Sequence, residues 1–217
     1  MTKKLFALML GLLFLSCART PDKKYYTLNY EPEALPSRHS PAPWPCTLRI
    51  KNFAVEAAYA RPQVVYRKNP YELEYYFYRV WAVKPDVMMS DLVRKHLLAL
   101  NLVKQVVLRY DEGEKPAYEL QGSLESIEEY DSENTWFAHL DFSVRLVRTR
   151  DGAVIYTRDF DTRRQVQQRE PEYVIMVLSQ LADYSISSLA ADLDGVFEKE
   201  YQSPQAAPAD TTTPKQK

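Results

Sequence analysis

Residues 136–148 read WFAHLDFSVRLVR, and residues 153–166, after a short connection, read AVIYTRDFDTRRQV. In the first segment one side is mostly apolar and the other mostly polar: Trp136, Ala138, Leu140, Phe142, Val144 and Leu146 against Phe137, His139, Asp141, Ser143 and Arg145. This alternation predicts a strand with one buried face and one mostly solvated face. The second segment follows a glycine-containing turn, which predicts that the two strands form a hairpin.

The hairpin register depends on how the turn Arg150-Asp151-Gly152 is divided. A two-residue loop would place Phe142 opposite Asp161. A three-residue loop with Gly152 in the left-handed conformation would instead pair Phe142 with Phe160 and keep the apolar face continuous. We therefore predict the three-residue loop.

The remaining chain alternates strand-like and helix-like patterns. Strands are predicted near residues 24–30, 46–55, 63–67, 72–82, 103–110 and 117–130, and helices at about 85–100 and 171–199. Pro85 and Pro171 each suit a first helical turn. A helix, a series of strands and a second helix indicate an α+β fold, in which a largely antiparallel sheet carries both helices on one face.

The domain is predicted to span residues 25–200, a length that suits one core. Residues 201–217 contain mainly Gln, Ala, Pro, Thr and Lys and show no periodicity. Such a segment buries too little apolar surface to offset the entropy cost of ordering, so a disordered tail is predicted.

The N-terminus predicts export and anchoring. Lys3 and Lys4 precede an apolar run at 5–15, which is typical of a signal peptide and too short to cross about 30 Å of hydrocarbon. Phe14-Leu15-Ser16-Cys17 resembles a bacterial lipobox, which implies that residues 1–16 are removed, that Cys17 is acylated and that residues 17–24 form a lipidated tether. The alternative is an ordinary secretory signal with an incidental cysteine.

Residue 18 bears on the choice of membrane. Ala18 follows the cysteine, whereas an Asp there is the familiar signal for retention in the inner membrane. Resemblance to sorted lipoproteins therefore favours the outer membrane of a Gram-negative type of envelope, with the domain facing the periplasm.

The net charge argues against nucleic-acid binding, and the cysteine content argues against an intramolecular disulfide. Without residues 1–16 the chain keeps 26 of its 28 Lys+Arg and all 29 Asp+Glu, a net charge of −3, so no nucleic-acid partner is indicated. Acylation of Cys17 would leave Cys46 as the last thiol, so no intramolecular disulfide could form. Cys46 begins an apolar segment, and we expect it to be buried.

The sequence gives little indication of catalysis or of a cofactor. The glycines are too far apart to form a phosphate-binding loop, which argues against an ATPase, and no serine lies in a Gly-x-Ser-x-Gly elbow. The histidines, His39, His96 and His139, show no metal-ligand spacing, so no metal site is predicted, and His96 is expected in the core. The acidic residues between Glu125 and Glu133 are expected in a solvated turn, although paired carboxylates could also serve an envelope enzyme.

Aromatic residues are concentrated between Tyr59 and Trp81. In the predicted strand at 71–81 both faces carry rings, so at most one face can enter the core. Tyr76 and Tyr78, on the face opposite Tyr75 and Phe77, are predicted either to lie under the helices or to contact a partner or lipid.

Within this region the sequence resembles a known family. The segment Tyr59-Ala60-Arg61-Pro62-Gln63-Val64-Val65-Tyr66-Arg67, followed by Arg79, Trp81 and a helix at Pro85, resembles the ABC-type transport auxiliary lipoprotein (PqiC-like) family, from about Tyr25 to Val196. The resemblance implies a periplasm-facing lipoprotein that works with an MCE-domain subunit and an ABC permease and ATPase in moving phospholipid or another lipid between membranes. A ring-shaped homo-oligomer is also possible for the family.

The resemblance and the aromatic content together suggest a docking protein. We hypothesise that the partner-binding surface contains Tyr59, Arg61, Pro62, Gln63, Arg67, Tyr76, Tyr78 and Trp81. The alternative is a lipid or lipoprotein carrier, whose sheet and long helix would enclose an apolar cavity for acyl chains.

Overall fold

The computed structural model of the chain describes residues 21–33, 42–109, 115–132, 135–168 and 170–202. The predicted signal peptide, Cys17 and residues 203–217 of the predicted tail lie outside these residues. Tyr201 and Gln202, which were predicted to begin the disordered tail, are helical. Within them the chain forms strands β1 (Lys24–Tyr26), β2 (Trp44–Ile50), β3 (Ala54–Val55), β4 (Gln63–Asn69), β5 (Glu72–Trp81), β6 (Val103–Val107), β7 (Tyr118–Ser132), β8 (Thr135–Arg148) and β9 (Val154–Val166), and helices α1 (Pro85–Ala99) and α2 (Pro171–Gln202).

The strands of the described residues form one mixed sheet that is organised around β7. One edge of β7 pairs with β8 along nearly its whole length, and β8 pairs with β9, so these three long strands form an antiparallel meander. The other edge of β7 pairs in succession with β2, β3 and β4, all parallel to it. The predicted α+β fold is confirmed, and the parallel pairings show that the sheet is mixed.

Three further strands extend the sheet on the β2 and β4 side. β6 lies parallel to β2, β5 lies antiparallel to β4, and the short β1 lies parallel to β5. β1 pairs only with Arg79 to Trp81, so it covers just one end of β5.

The predicted register of the β8–β9 hairpin is confirmed away from the turn. Phe142 pairs with Phe160, and their rings stack at 4.9 Å between centroids. Gly152 is left-handed, with φ of 72°. The ladder shifts by one residue beyond Leu146, and Arg148 accepts a hydrogen bond from the Gly152 N–H and donates one to the Ala153 carbonyl. The loop therefore has four residues, 149–152, instead of the predicted three.

Both helices pack against the apolar face of the sheet. Met89, Val93 and Leu97 of α1 are fully buried. α2 buries a stripe along most of its length: Val174, Leu178, Ala182, Ile186, Leu189, Leu193 and Phe197. By length and composition α2 could cross a membrane, but most of its apolar window is buried inside the domain, which is typical of a core helix.

The end of α1 is set by a Schellman motif. The Leu102 N–H bonds to the Leu97 carbonyl, and the Asn101 N–H bonds to the Leu98 carbonyl. Asn101 has φ of 51°, a left-handed conformation that asparagine tolerates better than most residues. Leu97 and Leu102 are both fully buried, which fixes the direction in which the chain continues into β6.

Gly122 lies in the core-facing row of β7 and leaves room for an aromatic ring. It is paired with Val144 of β8, between Leu120 and Leu124. A Cβ atom at Gly122 would lie 2.3 Å from Cζ of Phe53, a buried ring that follows β2. The absence of a side chain at residue 122 thus allows the Phe53 ring to pack directly against the backbone of β7.

Gly122→Ala should destabilise the domain, because either the Phe53 ring or the β7 backbone must move. We expect the free energy of unfolding in urea to fall by about 1–3 kcal/mol, as for other overpacked cores. Gly195→Ala in α2 is the control: its Cβ meets nothing within 4 Å, so helix propensity should leave stability unchanged or raise it by up to about 1 kcal/mol. Equal effects of the two substitutions would contradict the role of Gly122.

Candidate functional site

Two residues of the predicted partner-binding set, Tyr59 and Arg67, lie in a buried polar cluster around Glu128. The Tyr59 hydroxyl donates to Glu128 Oε2 at 2.6 Å, and Arg67 Nε donates to Glu128 Oε1 at 2.9 Å. Arg67 also donates to the Tyr59 oxygen at 3.0 Å, and His139 Nδ1 lies 3.1 Å from Glu128 Oε1. Tyr59 and Glu128 are almost completely buried and join elements of the domain, whereas Arg67 keeps 23% of its side chain exposed.

The expectation that the acidic residues near Glu125 lie in a solvated turn is wrong for Glu128 and Glu129. Both lie within β7, are at most 2% exposed and point to opposite faces of the sheet. Glu128 faces the same side as His139, and Glu129 faces the helix side with Ala138. The sequence signal missed this because each carboxylate is buried by residues distant in the chain.

The two carboxyl groups have opposite pKa shifts. Burial alone would raise the pKa of Glu128, but hydrogen bonds from His139, Arg67 and Tyr59 lower it below its usual value. Burial raises the pKa of Glu129 to about 7, although the Tyr76 hydroxyl donates a hydrogen bond to it at 3.0 Å. Glu128 is therefore a stabilised anion, whereas Glu129 is costly to ionise.

Arg61, Pro62 and Gln63 brace the start of β4 against β5. The Arg61 guanidinium lies over the Tyr75 ring, 3.8 Å from its centroid. The Pro62 carbonyl accepts a hydrogen bond from the Trp81 N–H at 2.6 Å, and Gln63 pairs with Val80. Pro62 is exposed, and Arg61 and Gln63 are partly exposed.

The aromatic residues of the hypothesised partner-binding surface are at most partly exposed. The Tyr76 ring is half-buried, 4.5 Å from the Tyr66 centroid, and Arg79 lies over it at 4.4 Å. Tyr78 is also half-buried and packs edge-on against Phe77. Trp81 is 3% exposed and belongs to the core. Both faces of β5 carry rings, so alternation alone does not tell which face is the more exposed.

Other aromatic residues of the same region are exposed. Tyr71, Phe77 and Tyr25 have 97%, 75% and 67% of their surface accessible, and Tyr75 lies at the boundary of exposure. We call Tyr25, Tyr71, Tyr75 and Phe77 the aromatic edge. Phe77 is an apolar ring in solvent, which points to an interaction more strongly than an exposed tyrosine does.

The backbone beside the aromatic edge is also unpaired on one side. Along β5, β4 occupies one edge, and β1 covers only Arg79 to Trp81 of the other. Within the residues that the structure describes, no strand pairs with the outer edge of β5 between Glu72 and Tyr78. Such an edge is a template for pairing with another chain.

The N-terminal segment leaves the domain beside this edge. Pro21 and Asp22 line a cleft of about 320 Å³ together with Tyr76, Phe77 and Tyr78. The predicted acylation site, Cys17, lies outside the described residues, and its acylation stays a prediction.

Two sequence predictions about the core are confirmed. Cys46 is buried, and burial raises the pKa of its thiol to about 11. His96 is fully buried, accepts or donates hydrogen bonds at 3.2 Å to Tyr30 and at 3.4 Å to Ser187, and has its pKa lowered by burial to about 4. Both are structural residues.

One group of side chains among the described residues has the composition of a metal site. His139, Asp141 and Asp161 each offer a ligand atom, and these atoms lie within 4.8 Å of one another. Spacing along the chain does not reveal this group, because it joins residues of two strands, β8 and β9.

Comparison with known proteins gives a family and a fold. A family model described as "ABC-type transport auxiliary lipoprotein component" matches residues 26–190. A crystal structure of a protein from Xanthomonas campestris is similar over 83% of this chain and all of its own, with 17% identity and a TM-score of 0.72. A second crystal structure, of an uncharacterised protein, covers 80% of this chain and 99% of its own, with 17% identity and a TM-score of 0.59. No curated protein matches the sequence significantly.

Glu129→Gln should stabilise the domain at pH 8. Because the pKa of Glu129 is raised in the folded state, its favourable contribution is complete below the usual carboxyl pKa and is lost as the pH rises through about 7. At pH 8 the free energy of unfolding of the variant should be roughly 1–3 kcal/mol higher than that of the wild type. Between pH 5 and 8 the stability of the variant should change less than that of the wild type. Urea unfolding at several pH values measures both effects.

Glu128→Gln is the matched control, on the neighbouring residue. The pKa of Glu128 is lowered, so its contribution is present above the usual carboxyl pKa and is lost as the pH falls. Removing this anion should cost about 3 kcal/mol at pH 7, because Arg67 loses its partner. If both substitutions shifted stability in the same direction at pH 8, the assignment of the two carboxyl groups would be wrong.

Proposed function

This chain belongs to the family of ABC-type transport auxiliary lipoprotein components, and from that premise we propose that it is the membrane-anchored docking element of an ABC/MCE-type lipid transport system. In this proposal the domain faces the periplasm, is held at the outer membrane by acylated Cys17, and binds the MCE-domain subunit that works with the permease and ATPase. The transported cargo is phospholipid or another membrane lipid.

The proposal rests on the bare edge of β5, by which we mean its outer backbone edge between Glu72 and Tyr78, and on the exposed rings beside it. Along Glu72 to Tyr78 the outer backbone groups face no strand of the described domain, and Tyr71 and Phe77 expose most of their surface beside them. An extended segment of a partner could add a strand here, with the backbone supplying affinity and the rings supplying hot spots.

The tether supports a location for this contact. Pro21 follows Cys17 by four residue steps, and a fully extended chain reaches at most about 3.6 Å per step, so the Cα atom of Cys17 lies within about 14 Å of that of Pro21. Pro21 lines the same cleft as Phe77. The docking edge would therefore lie close to the membrane surface, where the membrane-proximal end of a partner assembly would have to be held.

The interior gives the alternative of a lipid carrier less support. The space between the sheet and the helices is filled by side chains with less than 2% exposure, among them Phe142, Phe197, Met89 and Leu140. An acyl-chain cavity would have to displace such packing. Lipid that co-purifies with the protein in one-to-one amounts would favour the carrier.

Replacing exposed rings of the aromatic edge should weaken binding to the MCE-domain protein. A hot-spot aromatic contributes about 2 kcal/mol or more, which is about a thirtyfold change in Kd, so we expect at least this loss for Tyr71→Ser/Phe77→Ser. Affinity purification from membranes and a direct binding titration measure it.

Tyr184→Ser provides the control for that experiment. Tyr184 is 64% exposed on α2, which is a different element of the domain, so its loss should leave binding within about twofold. Undiminished binding of the Tyr71/Phe77 variant, with an unchanged unfolding transition, would refute docking through the aromatic edge.

Cys17→Ala should leave the domain folded but release it from the membrane, because the acylated residue is lost. The buried hydrophobic residues that the structure describes run from Leu28 to Phe197, so circular dichroism and the thermal transition should match those of the wild type. Complementation of a deletion strain should fail, because an untethered domain does not concentrate its docking edge at the membrane. Full complementation by a soluble form would contradict the role of the anchor.

A further inference from the structure

The mostly solvated face of the β8–β9 hairpin contains an arrangement that strand packing does not explain. Asp141 of β8 is directly opposite Asp161 of β9. Like charges directly opposite each other destabilise an antiparallel pair. The register itself is fixed on the other face by Phe142 and Phe160, so the apolar core places the two positions together but does not require that both be acidic.

A histidine completes the group. His139 precedes Asp141 by two residues on β8, so both side chains point to the same face. His139 Nε2 lies 2.9 Å from Asp161 Oδ1, and the ligand atoms of all three residues lie within 4.8 Å of one another. A tetrahedral ion with metal–ligand distances of about 2.0–2.1 Å has ligands about 3.3 Å apart. Side-chain movements that displace the ligand atoms by less than about 2 Å would bring the three atoms to that spacing.

The histidine is held in the orientation that a metal ligand needs. Its other ring nitrogen, Nδ1, lies 3.1 Å from Glu128, and that carboxylate is fixed by Arg67 and Tyr59. Metal-binding histidines commonly use one ring nitrogen for the ion and donate the other N–H to a carboxylate, which sets the tautomer. Here Glu128 is the carboxylate that accepts the hydrogen bond from Nδ1, and Nε2 lies toward Asp161.

The surrounding charges favour a cation. The Glu125 carboxylate adds negative charge near Asp141, and one of its oxygens is buried without a hydrogen-bond partner. Burial and the neighbouring Asp161 and Glu125 carboxylates raise the pKa of Asp141. Arg163 lies 3.8 Å from Asp161, but its side chain is more than half exposed and can move away.

We propose that His139 Nε2 and the carboxylates of Asp141 and Asp161 form a divalent transition-metal site, with Glu128 as the positioning residue. One imidazole nitrogen and two carboxylate oxygens suit Zn²⁺, and the exposed side of the group leaves further coordination positions to water. The ion binds the lone pair of Nε2, any proton on that nitrogen is released to solvent, and the ion bridges β8 and β9 where two aspartates lie opposite each other. The site is structural in this proposal and does not depend on the docking function.

Zinc titration of the purified full chain tests the site. Isothermal titration calorimetry should show one equivalent of Zn²⁺ bound to the wild type. His139→Gln, Asp141→Asn and Asp161→Asn should each weaken binding at least about tenfold, as expected when one ligand of three is lost. Zn²⁺ should also raise the Tm of the wild type, and EDTA should reverse the rise, whereas Asp161→Asn should show no such response.

Asp159→Asn is the matched control for general negative charge. Asp159 lies on the same strand and the same face, two residues from Asp161, but it is opposite Ser143 and outside the group. The affinity of the Asp159→Asn variant for Zn²⁺ should stay within about twofold of that of the wild type, since an exposed charge outside the group is largely screened. No uptake by the wild type, or uptake that Asp141→Asn and Asp161→Asn leave unchanged, would overturn the proposal.

Discussion

The buried carboxylate of Glu128 holds together parts of the chain that are far apart in sequence. It bonds to Tyr59 in the connection after β3, to Arg67 in β4 and to His139 in β8. An isolated carboxylate would be costly at this depth, and these donors compensate for its lost hydration. By fixing β4 against β7, the cluster also fixes β5, and with it the position of the bare edge. The residues that resemble the family motif around Arg61 therefore act mainly as supports for a surface next to them.

Much of the fold follows from local patterns. The alternation in β8 gave its buried face, and the apolar pairing of Phe142 with Phe160 gave the hairpin register, because a slip would have moved every side chain to the other face. The parallel pairing of β2, β3 and β4 along one edge of β7 could not be predicted in this way. It depends on which distant segments meet, and each of these strands is too short to specify a partner by its own pattern.

The site was harder to predict than the fold, and the reasons are physical. Glu128 and Glu129 resemble a solvated acidic run until Tyr59, Arg67, His139 and Tyr76 are placed around them by tertiary structure. In β5 both faces are aromatic, so the sequence located the aromatic surface in the right strand but did not tell which face is the more exposed. His139, Asp141 and Asp161 lie on neighbouring strands, and only the confirmed register brings the third residue to the first two.

The outer edge of β5 is the proposed place where a partner binds, and the docking role depends on it. Hydrogen–deuterium exchange of the purified protein, with and without the MCE-domain partner, observes that edge directly, because added strand pairing protects backbone amides. Docking at this edge predicts slower exchange confined mainly to peptides that cover Tyr71 to Tyr78. Unchanged exchange there, with protection instead on the exposed side of α2 around Met176 and Tyr184, would contradict it.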